Sequence, residues 1–446
     1  MERPHIILIT TDQQHHRMAS YSGDPYVSTP NLDKLAASGK KFELTYVSNP
    51  VCVPFRYALV SGHMPHTFDG LEHNSKGMAS EHPRILDHID TPLMGTLLRN
   101  CGYDTYAGGK LHVEGTQVFT KEKAEEFGFE SITTDQRDEL AERSADFLKN
   151  RDSDRPFFLW ASFINPHDIC KVLDEDGKPT HPSDPGDNLP PLPDNHAPPQ
   201  DEPKWMQGFR DGTLGDEETI EIGLNRRFGR HAIHWTEHEW RVYRAAYRFY
   251  MEDLDNQLGV ILDALDDAGL RENTVVIFTS DHGDHDGEHG LTMKRSFYEA
   301  SSHVPLTISW PGRVSAGQID ALVNNGIDLL PTLCDFAEGE IPDSLPGRSL
   351  KPLALGEQSN WREFVVAETV GGRMVRSARY KYSIFHYDGK SEEMLVDMVS
   401  DPTETKNLAN DPEFIQILTD HRNRLSDWVQ AHADTQGATY LKALAP

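Results

Sequence analysis

One of the four cysteines lies in a segment whose other residues favour the binding of an anion beside it. Cys52 is followed at fixed offsets by Pro54 and Arg56, and Gly62 closes the same segment. Proline suits the first turn of a helix, and glycine is common just after the last turn. The spacing therefore predicts that a helix begins at or just after Cys52, where free N–H groups and the helix dipole attract an anion. Arg56, one turn further on, is positioned to bind the same anion with two hydrogen bonds.

Metal-ligating side chains follow two apolar runs that we predict to be buried strands. Asp12 and Gln13 come directly after the first run, and Asp281 and His282 come directly after a later one. Sites in open α/β sheets lie at the carboxyl ends of the strands, so these four side chains are expected to meet. Two carboxylates, an amide oxygen and an imidazole suit Ca²⁺, with Mg²⁺ or Mn²⁺ as alternatives. Such an ion would acidify an attacking hydroxyl and offset charge on ester oxygens.

The elements that must position these residues follow an alternating pattern of apolar runs and helical stretches. This pattern predicts an α/β fold with a large, mostly parallel sheet sandwiched by helices. We predict a catalytic domain over residues 1–345 and a smaller C-terminal α+β subdomain with an antiparallel sheet over residues 346–446. The main strands are predicted at His5–Thr10, Phe157–Phe163, Thr274–Thr279 and Pro305–Trp310, and the main helices at Asn31–Ser38, Thr91–Cys101, Asp135–Asn150 and Glu237–Ala268.

Two segments are expected to be irregular. Residues 173–230 are rich in proline, aspartate and glycine, so they are predicted to be an insertion. It forms either a wall of the substrate pocket or a plain solvent loop. The acids and histidines from Asp284 to His289 are typical of a polar, solvated loop, and we assign no metal ligands there.

The composition excludes several classes of partner. The net charge of −28 repels polyanions, so nucleic acid is not an expected ligand. No apolar run approaches the roughly 20 residues that cross a bilayer, so no membrane partner is expected. The first apolar stretch is too short for a signal peptide, which predicts a cytoplasmic protein if Met1 is the natural start. Otherwise a leader has been removed from an exported protein. The sequence allows a homo-oligomer.

Cys52-x-Pro54-x-Arg56, followed by A-L-x-S-G, resembles the formylglycine signature of type I sulfatases, which belong to the alkaline phosphatase-like superfamily. In that family the cysteine is oxidised to an aldehyde, and one oxygen of the hydrated aldehyde attacks the sulfate ester beside a divalent metal. The resemblance implies a formylglycine derived from Cys52, which also contacts the metal, and a formylglycine-generating enzyme as maturation partner. The two strand-end elements are similar to the family's metal ligands, with Gln13 where many members have a second aspartate.

Further segments resemble sulfatase motifs in the family's order. Gly109-Lys110-x-His112 is similar to a G-K-x-H segment, which implies that Lys110 binds sulfate and His112 is the base that expels it. His167 follows a strand as in the family and is expected to act on the leaving oxygen. Lys294 is expected to contact the ester, and Asn74 resembles an asparagine that some relatives place at the sulfate group.

These motifs predict hydrolysis of a sulfate ester of a sugar, a small alcohol or an aryl group. An alternative is a phosphonate monoester or phosphodiester hydrolase on the same scaffold, since the reacting centre is similarly tetrahedral. A third is a catalytically silent protein that binds a sulfated ligand. The acidic composition favours a small sulfated sugar, oligosaccharide or alcohol over a long polyanionic polymer.

Overall fold

The sheet that carries the strand-end residues is large and mixed. A computed structural model of the protein describes residues 3–68, 71, 82–186, 188–213 and 228–444. Its first nine strands are β1 His5–Asp12, β2 Lys40–Tyr46, β3 Asp104–Val113, β4 Thr116–Val118, β5 Glu130–Thr133, β6 Phe157–Pro166, β7 Thr274–Ser280, β8 Leu306–Ser309 and β9 Gly317–Asn324. They form one sheet in the order β4-β3-β6-β1-β7-β8-β2-β9, and β5 pairs with β3.

Four neighbouring strands of this sheet run parallel. β3 pairs with β6, β6 with β1, and β1 with β7, all in parallel register. β8 runs antiparallel to both of its neighbours, and β4 runs antiparallel to β3. The predicted mostly parallel sheet is therefore confirmed. Because β3, β6, β1 and β7 are parallel neighbours, their carboxyl ends lie together along one edge.

Helices cover both faces of the sheet. The described helices are α1 Pro30–Ala37, α2 Cys52–Ser61, α3 Met94–Asn100, α4 Lys121–Glu126, α5 Asp138–Asn150, α6 Lys204–Arg210, α7 Glu237–Asp267, α8 Glu299–Ser302, α9 Asn325–Phe336, α10 Lys351–Ala354, α11 Ile415–Ala431 and α12 Thr435–Lys442. None of them is long and apolar enough to cross a membrane.

The central strand shows why two helical layers form. All eight residues of β1 are buried, and successive side chains of a strand point to opposite faces. Ile6 and Leu8 belong to a core with α2, α3 and α9, whereas Ile7 and Ile9 belong to a second core with α5 and α7. A strand that is apolar on both faces needs cover on both, as in parallel sheets generally. Helix α7 begins with a capping box, in which Thr236 and Glu239 satisfy each other's backbone N–H groups.

The C-terminal region has its own antiparallel sheet, as predicted. Strands β10 Phe364–Thr369, β11 Gly372–Ser377, β12 Tyr380–Tyr387 and β13 Lys390–Asp397 pair in sequence order. Helices α11 and α12 share an apolar core with one face of this sheet. The predicted domain bounds at 345 and 346 stay a prediction.

Part of the proline-rich insertion is ordered into a helix that the sequence analysis missed. Helix α6 lies within residues 173–230 and buries Trp205, Met206 and Phe209. Trp205 stacks on Phe385 of β12 with ring centroids 5.2 Å apart. Helix α6 is therefore packed onto the C-terminal sheet, so this part of the insertion is not a plain solvent loop.

Candidate active site

The carboxyl ends of four parallel strands bring the predicted site residues together. Asp12 is the last residue of β1, and Asp281 directly follows β7. Lys110 and His112 lie near the end of β3. His167 directly follows β6. Residues as distant in the chain as Asp12 and Asp281 thus meet at one edge of the sheet, where the sequence analysis expected them.

Arg56 holds the two carboxylates side by side. Its Nε donates to Oδ2 of Asp281 at 3.1 Å, and one terminal nitrogen lies 3.2 Å from Oδ2 of Asp12. The other terminal nitrogen donates to the Lys110 carbonyl and the Ser162 hydroxyl, both at 2.9 Å. The guanidinium is 1% exposed. These contacts direct Arg56 toward the protein's own carboxylates, and its sequence-derived role as a ligand for a substrate anion stays a prediction.

Each carboxylate turns its second oxygen toward a common centre. Oδ1 of Asp12 lies 3.7 Å from Nε2 of His282, and Oδ1 of Asp281 lies 3.4 Å from the same nitrogen. One ligand atom from each of Asp12, Cys52, Asp281 and His282 lies within 4.8 Å of the others, and all four residues are buried. Two hard oxygen ligands at such short range fit a divalent cation.

Electrostatics supports this fit. Burial and the neighbouring charge of Asp12 raise the pKa of Asp281 to about 7. Burial also disfavours the charged form of Asp12, but Lys110, His167 and Lys294 outweigh it and hold the pKa below its ordinary value. Two crowded carboxylates that resist joint ionisation are the arrangement that a bound cation relieves.

Cys52 begins helix α2, as its neighbours in sequence predicted. Val51 is the N-cap, and Gly62 ends the helix at φ 74°, a left-handed conformation that glycine adopts at little cost. The sulfur lies 3.1 Å from Nε2 of His282 and 3.0 Å from Nζ of Lys294. Burial raises the pKa of the thiol, but Lys110, Lys294 and His282 together bring it well below the ordinary value.

Two lysines supply positive charge beside residue 52. Nζ of Lys110 lies 2.5 Å from Oδ2 of Asp12. Nζ of Lys294 donates to Oε1 of Gln13 at 2.9 Å as well as to Cys52. Both lysines are more than nine-tenths buried. Burial lowers the pKa of Lys294, but the charges of Cys52 and Asp12 reverse this and raise it. The amino groups of both lysines therefore face the same small volume.

Two histidines complete the surroundings of the sulfur. His112 and His167 each interact electrostatically with Cys52, and Nε2 of His167 lies 3.9 Å from Oδ1 of Asp12. Burial lowers the pKa of His112. Burial and Lys110 lower the pKa of His167 to about 4. His167 keeps 20% of its side chain exposed, so it lies on the solvent side of the cluster.

All ten predicted site residues that the structure describes belong to this cluster. Asn74 lies outside the described residues. The predicted residues that the structure brings together are Asp12, Gln13, Cys52, Arg56, Lys110, His112, His167, Asp281, His282 and Lys294.

The expectation of a solvated loop after His282 is wrong. Asp284, His285 and His289 are fully buried, and Asp286 is 2% exposed. Asp284 accepts hydrogen bonds from Gln13 and from the Tyr243 hydroxyl, while Asp286 pairs with arginines of α7. Buried acids need such partners, and these come from distant elements that local composition does not reveal. Ser162 and Cys170, which contact Arg56 and Gln13, were missed for the same reason.

Comparison with known proteins identifies the family. The profile of the Sulfatase family matches residues 4–339. The chain belongs to the sulfatase family. Residues 287–431 of this sulfatase also match the profile of the N-sulphoglucosamine sulphohydrolase C-terminal region. The predicted family and the predicted class of enzyme, a hydrolase of sulfuric esters, are confirmed.

Individual relatives cover nearly the whole chain. A Δ4,5-hexuronate-2-O-sulfatase of Bacteroides thetaiotaomicron is 33% identical, with 97% of this chain and 90% of the relative covered. A solved 2-O GAG sulfatase is 30% identical, with a TM-score of 0.81 and coverage of 98% and 94%. The phosphonate monoester hydrolase of Agrobacterium radiobacter is 20% identical, with a TM-score of 0.71 and 96% of each chain covered. That last similarity concerns the fold alone.

Proposed function

We propose that this sulfatase hydrolyses a sulfate ester of a sugar, using a formylglycine formed from Cys52 and a divalent cation held by Asp12, Asp281 and His282. One observation carries the proposal: four ligand atoms, one of them the sulfur of Cys52, lie within 4.8 Å of one another in a buried cluster. Ca²⁺ is the proposed ion because most of the donors are oxygens, and Gln13 can add another. When bound, the cation supplies positive charge to the ester oxygens and favours ionisation of a hydroxyl.

The side chains around residue 52 suit displacement at sulfur. Lys110 and Lys294 neutralise the sulfate oxygens while one hydroxyl of hydrated formylglycine at position 52 attacks sulfur. As the bond from sulfur to the alcohol oxygen breaks, the proton lost by the attacking hydroxyl passes through His167 to the departing oxygen, which leaves as the alcohol. His112 takes the proton of the second hydroxyl, the carbon–oxygen bond to sulfate breaks, and the aldehyde is restored. A serine at this position would lack the second hydroxyl that expels sulfate.

The sugar substrate is proposed from the relatives. The relative that is 33% identical bears the name of a Δ4,5-hexuronate-2-O-sulfatase, and the similar solved structure is that of a 2-O GAG sulfatase. We therefore take a 2-O-sulfated unsaturated hexuronate, free or at the end of a short oligosaccharide, as the first substrate to test. The net charge of −28 favours such a small ligand over a long polyanion.

The test begins with protein produced together with a formylglycine-generating enzyme. Mass spectrometry of the peptide that contains residue 52 is expected to show the aldehyde, which reacts with hydrazides, in place of the thiol. The same sample should release sulfate from the 2-O-sulfated hexuronate, and Cys52→Ala should not. An unconverted thiol together with tight binding of the sulfated sugar would instead indicate a silent binding protein.

A second assay separates sulfate from phosphonate chemistry. A phosphonate monoester hydrolase shares the fold, and a phosphonate monoester has a similar tetrahedral centre. Turnover of an aryl sulfate is expected to exceed turnover of the matching aryl phosphonate monoester in kcat/KM. Faster phosphonate turnover, abolished by the same Cys52→Ala variant, would overturn the choice of sulfate and leave the proposed nucleophile intact.

A further inference from the structure

The side-chain amide of Gln13 lies between a carboxylate and an ammonium group. Its Nε2 donates to Oδ2 of Asp284 at 2.7 Å. Its Oε1 accepts from Nζ of Lys294 at 2.9 Å and from the thiol of Cys170 at 3.5 Å. If the amide were turned over, its NH₂ group would face the ammonium and its oxygen would face the carboxylate, which makes two repulsive contacts. Both ends of the amide therefore specify the same orientation.

The backbone of Gln13 is held as firmly as its side chain. Gln13 adopts φ 77°, an uncommon conformation for a residue with a side chain. Its N–H donates to Oδ1 of Asp281 at 3.1 Å, and its carbonyl accepts from the Tyr247 hydroxyl. These contacts fix the direction in which the Gln13 side chain extends from the backbone. The partners of the amide then determine which way its oxygen and its nitrogen point.

Among the residues that the structure describes, the hydrogen-bond partners of Asp284 are neutral groups, and all of them are donors. Besides the Gln13 amide, its oxygens lie 2.9 and 3.0 Å from the Tyr243 hydroxyl, and Oδ1 accepts from the Asp286 N–H at 2.8 Å. The side chain is fully buried. A buried carboxylate destabilises the folded state when its oxygens lack donors, so Asp284 needs the hydrogen bonds that these three partners donate. It contacts the Nε2 end of the Gln13 amide, whereas Lys294 contacts the Oε1 end.

We propose that Asp284 is a positioning residue that turns the carbonyl end of Gln13 toward the cation site. Lys294 links that carbonyl to the sulfur of Cys52, since its Nζ lies 2.9 Å from one and 3.0 Å from the other. Gln13 thereby offers a neutral oxygen ligand beside Asp12, and its N–H groups, which would repel a cation, point away. The inference rests on the proposed metal site and assigns a cause to the orientation of its neutral ligand.

Calorimetric titration of Ca²⁺ and Mn²⁺ into the full chain with Cys52 unconverted tests this without any turnover. Asp284→Asn is nearly isosteric and is expected to weaken binding about tenfold, the lower range for loss of a ligand's hydrogen-bond partner. Tyr243→Phe is the matched control, because it removes a hydrogen bond from Asp284 but leaves the contact with Gln13. It should change the affinity by much less.

The same substitution made in a Gln13→Glu variant distinguishes the positioning role of Asp284 from an effect of its negative charge alone. In the Gln13→Glu variant, the carboxylates of residues 13 and 284 face and repel each other. Adding Asp284→Asn replaces one of these carboxylates with an amide, whose N–H can donate to Glu at position 13. Asp284→Asn should therefore weaken Ca²⁺ binding when residue 13 is glutamine but strengthen it when residue 13 is glutamate. Loss of a distant negative charge, or a general structural role, predicts weaker binding in both backgrounds, and that result would overturn the inference.

The design covers failure to fold and failure of the proposed function separately. If Asp284→Asn alone does not fold, the Gln13→Glu/Asp284→Asn pair still restores the hydrogen bond. Weaker Ca²⁺ binding by that pair than by Gln13→Glu alone would also refute the role of Asp284. If the wild-type chain binds neither Ca²⁺ nor Mn²⁺, the proposed metal site and this inference both fall. If the wild type binds them and the variants match it, only the inference falls.

Discussion

Replacing Arg56 with methionine would leave two buried carboxylates without the cation that contacts both of them. Methionine has a similar length and fills much of the same space, so the loss is mainly that of charge and hydrogen bonds. The guanidinium donates to Asp12, Asp281, the Lys110 carbonyl and Ser162 over distances of 2.9 to 3.2 Å. Every one of these acceptors would lose a donor.

The magnitude follows from the burial of this network. Arg56 is 1% exposed, and its two carboxylate partners are 0% and 1% exposed. Removing one partner of a buried ion pair costs about 3–5 kcal/mol, because the remaining charge stays desolvated. We expect Arg56→Met to lower the free energy of unfolding by this amount in EDTA. Saturating Ca²⁺ should recover part of the loss, since an ion that binds only the folded state stabilises it.

Urea denaturation, with and without Ca²⁺, measures both effects. The matched control is Arg379→Met, because Arg379 also pairs with one carboxylate, that of Asp397, but is 58% exposed. Such surface pairs contribute about 0–1 kcal/mol. If Arg56→Met were no more destabilising than the control, Arg56 would not be the residue that holds the carboxylates together, and the account of the site would be wrong.

Three further variants test other parts of the structure. His112→Gln should release alcohol in a burst equal to the protein concentration and then stall with sulfate on residue 52; rapid-quench kinetics without a burst would contradict its role. Burial opposes protonation of His66, but Glu368 raises its pKa to about 9. His66→Gln should therefore lower the free energy of unfolding by about 3 kcal/mol at a pH below the ordinary histidine pKa, and by progressively less as the pH rises through the pKa of His66 in the folded protein. Equal losses in urea denaturation at about pH 6 and about pH 10 would refute this. Gly109→Ala places a Cβ 2.1 Å from a carbonyl of β6 at φ +88°, so it should cost at least about 2 kcal/mol; an unchanged melting temperature would count against the described backbone.

The location of the site could be predicted because its signals are local. Asp12 ends one apolar strand and Asp281 directly follows another, and Pro54 and Gly62 mark the two ends of the helix that presents Cys52. Parallel strands then require that the ends meet. No long-range information is needed beyond the order of the elements.

The partners of the site residues could not be predicted, because they depend on which elements become neighbours. The sequence offered Arg56 as an anion ligand, but the fold places its guanidinium between Asp12 and Asp281. Asp284 looked like part of a solvated loop, yet α7 covers it and Tyr243 binds it. Helix α6 was missed because proline-rich flanks hide its short apolar face.

A crystal structure of the converted protein with Ca²⁺ tests the central claim most directly. The account predicts formylglycine at position 52 and one ion between Asp12 and Asp281, with calcium–oxygen distances of about 2.3–2.6 Å. Gln13 should present its carbonyl to that ion. An ion bound elsewhere, or an unmodified thiol at position 52 with no ion between the two carboxylates, would contradict the account.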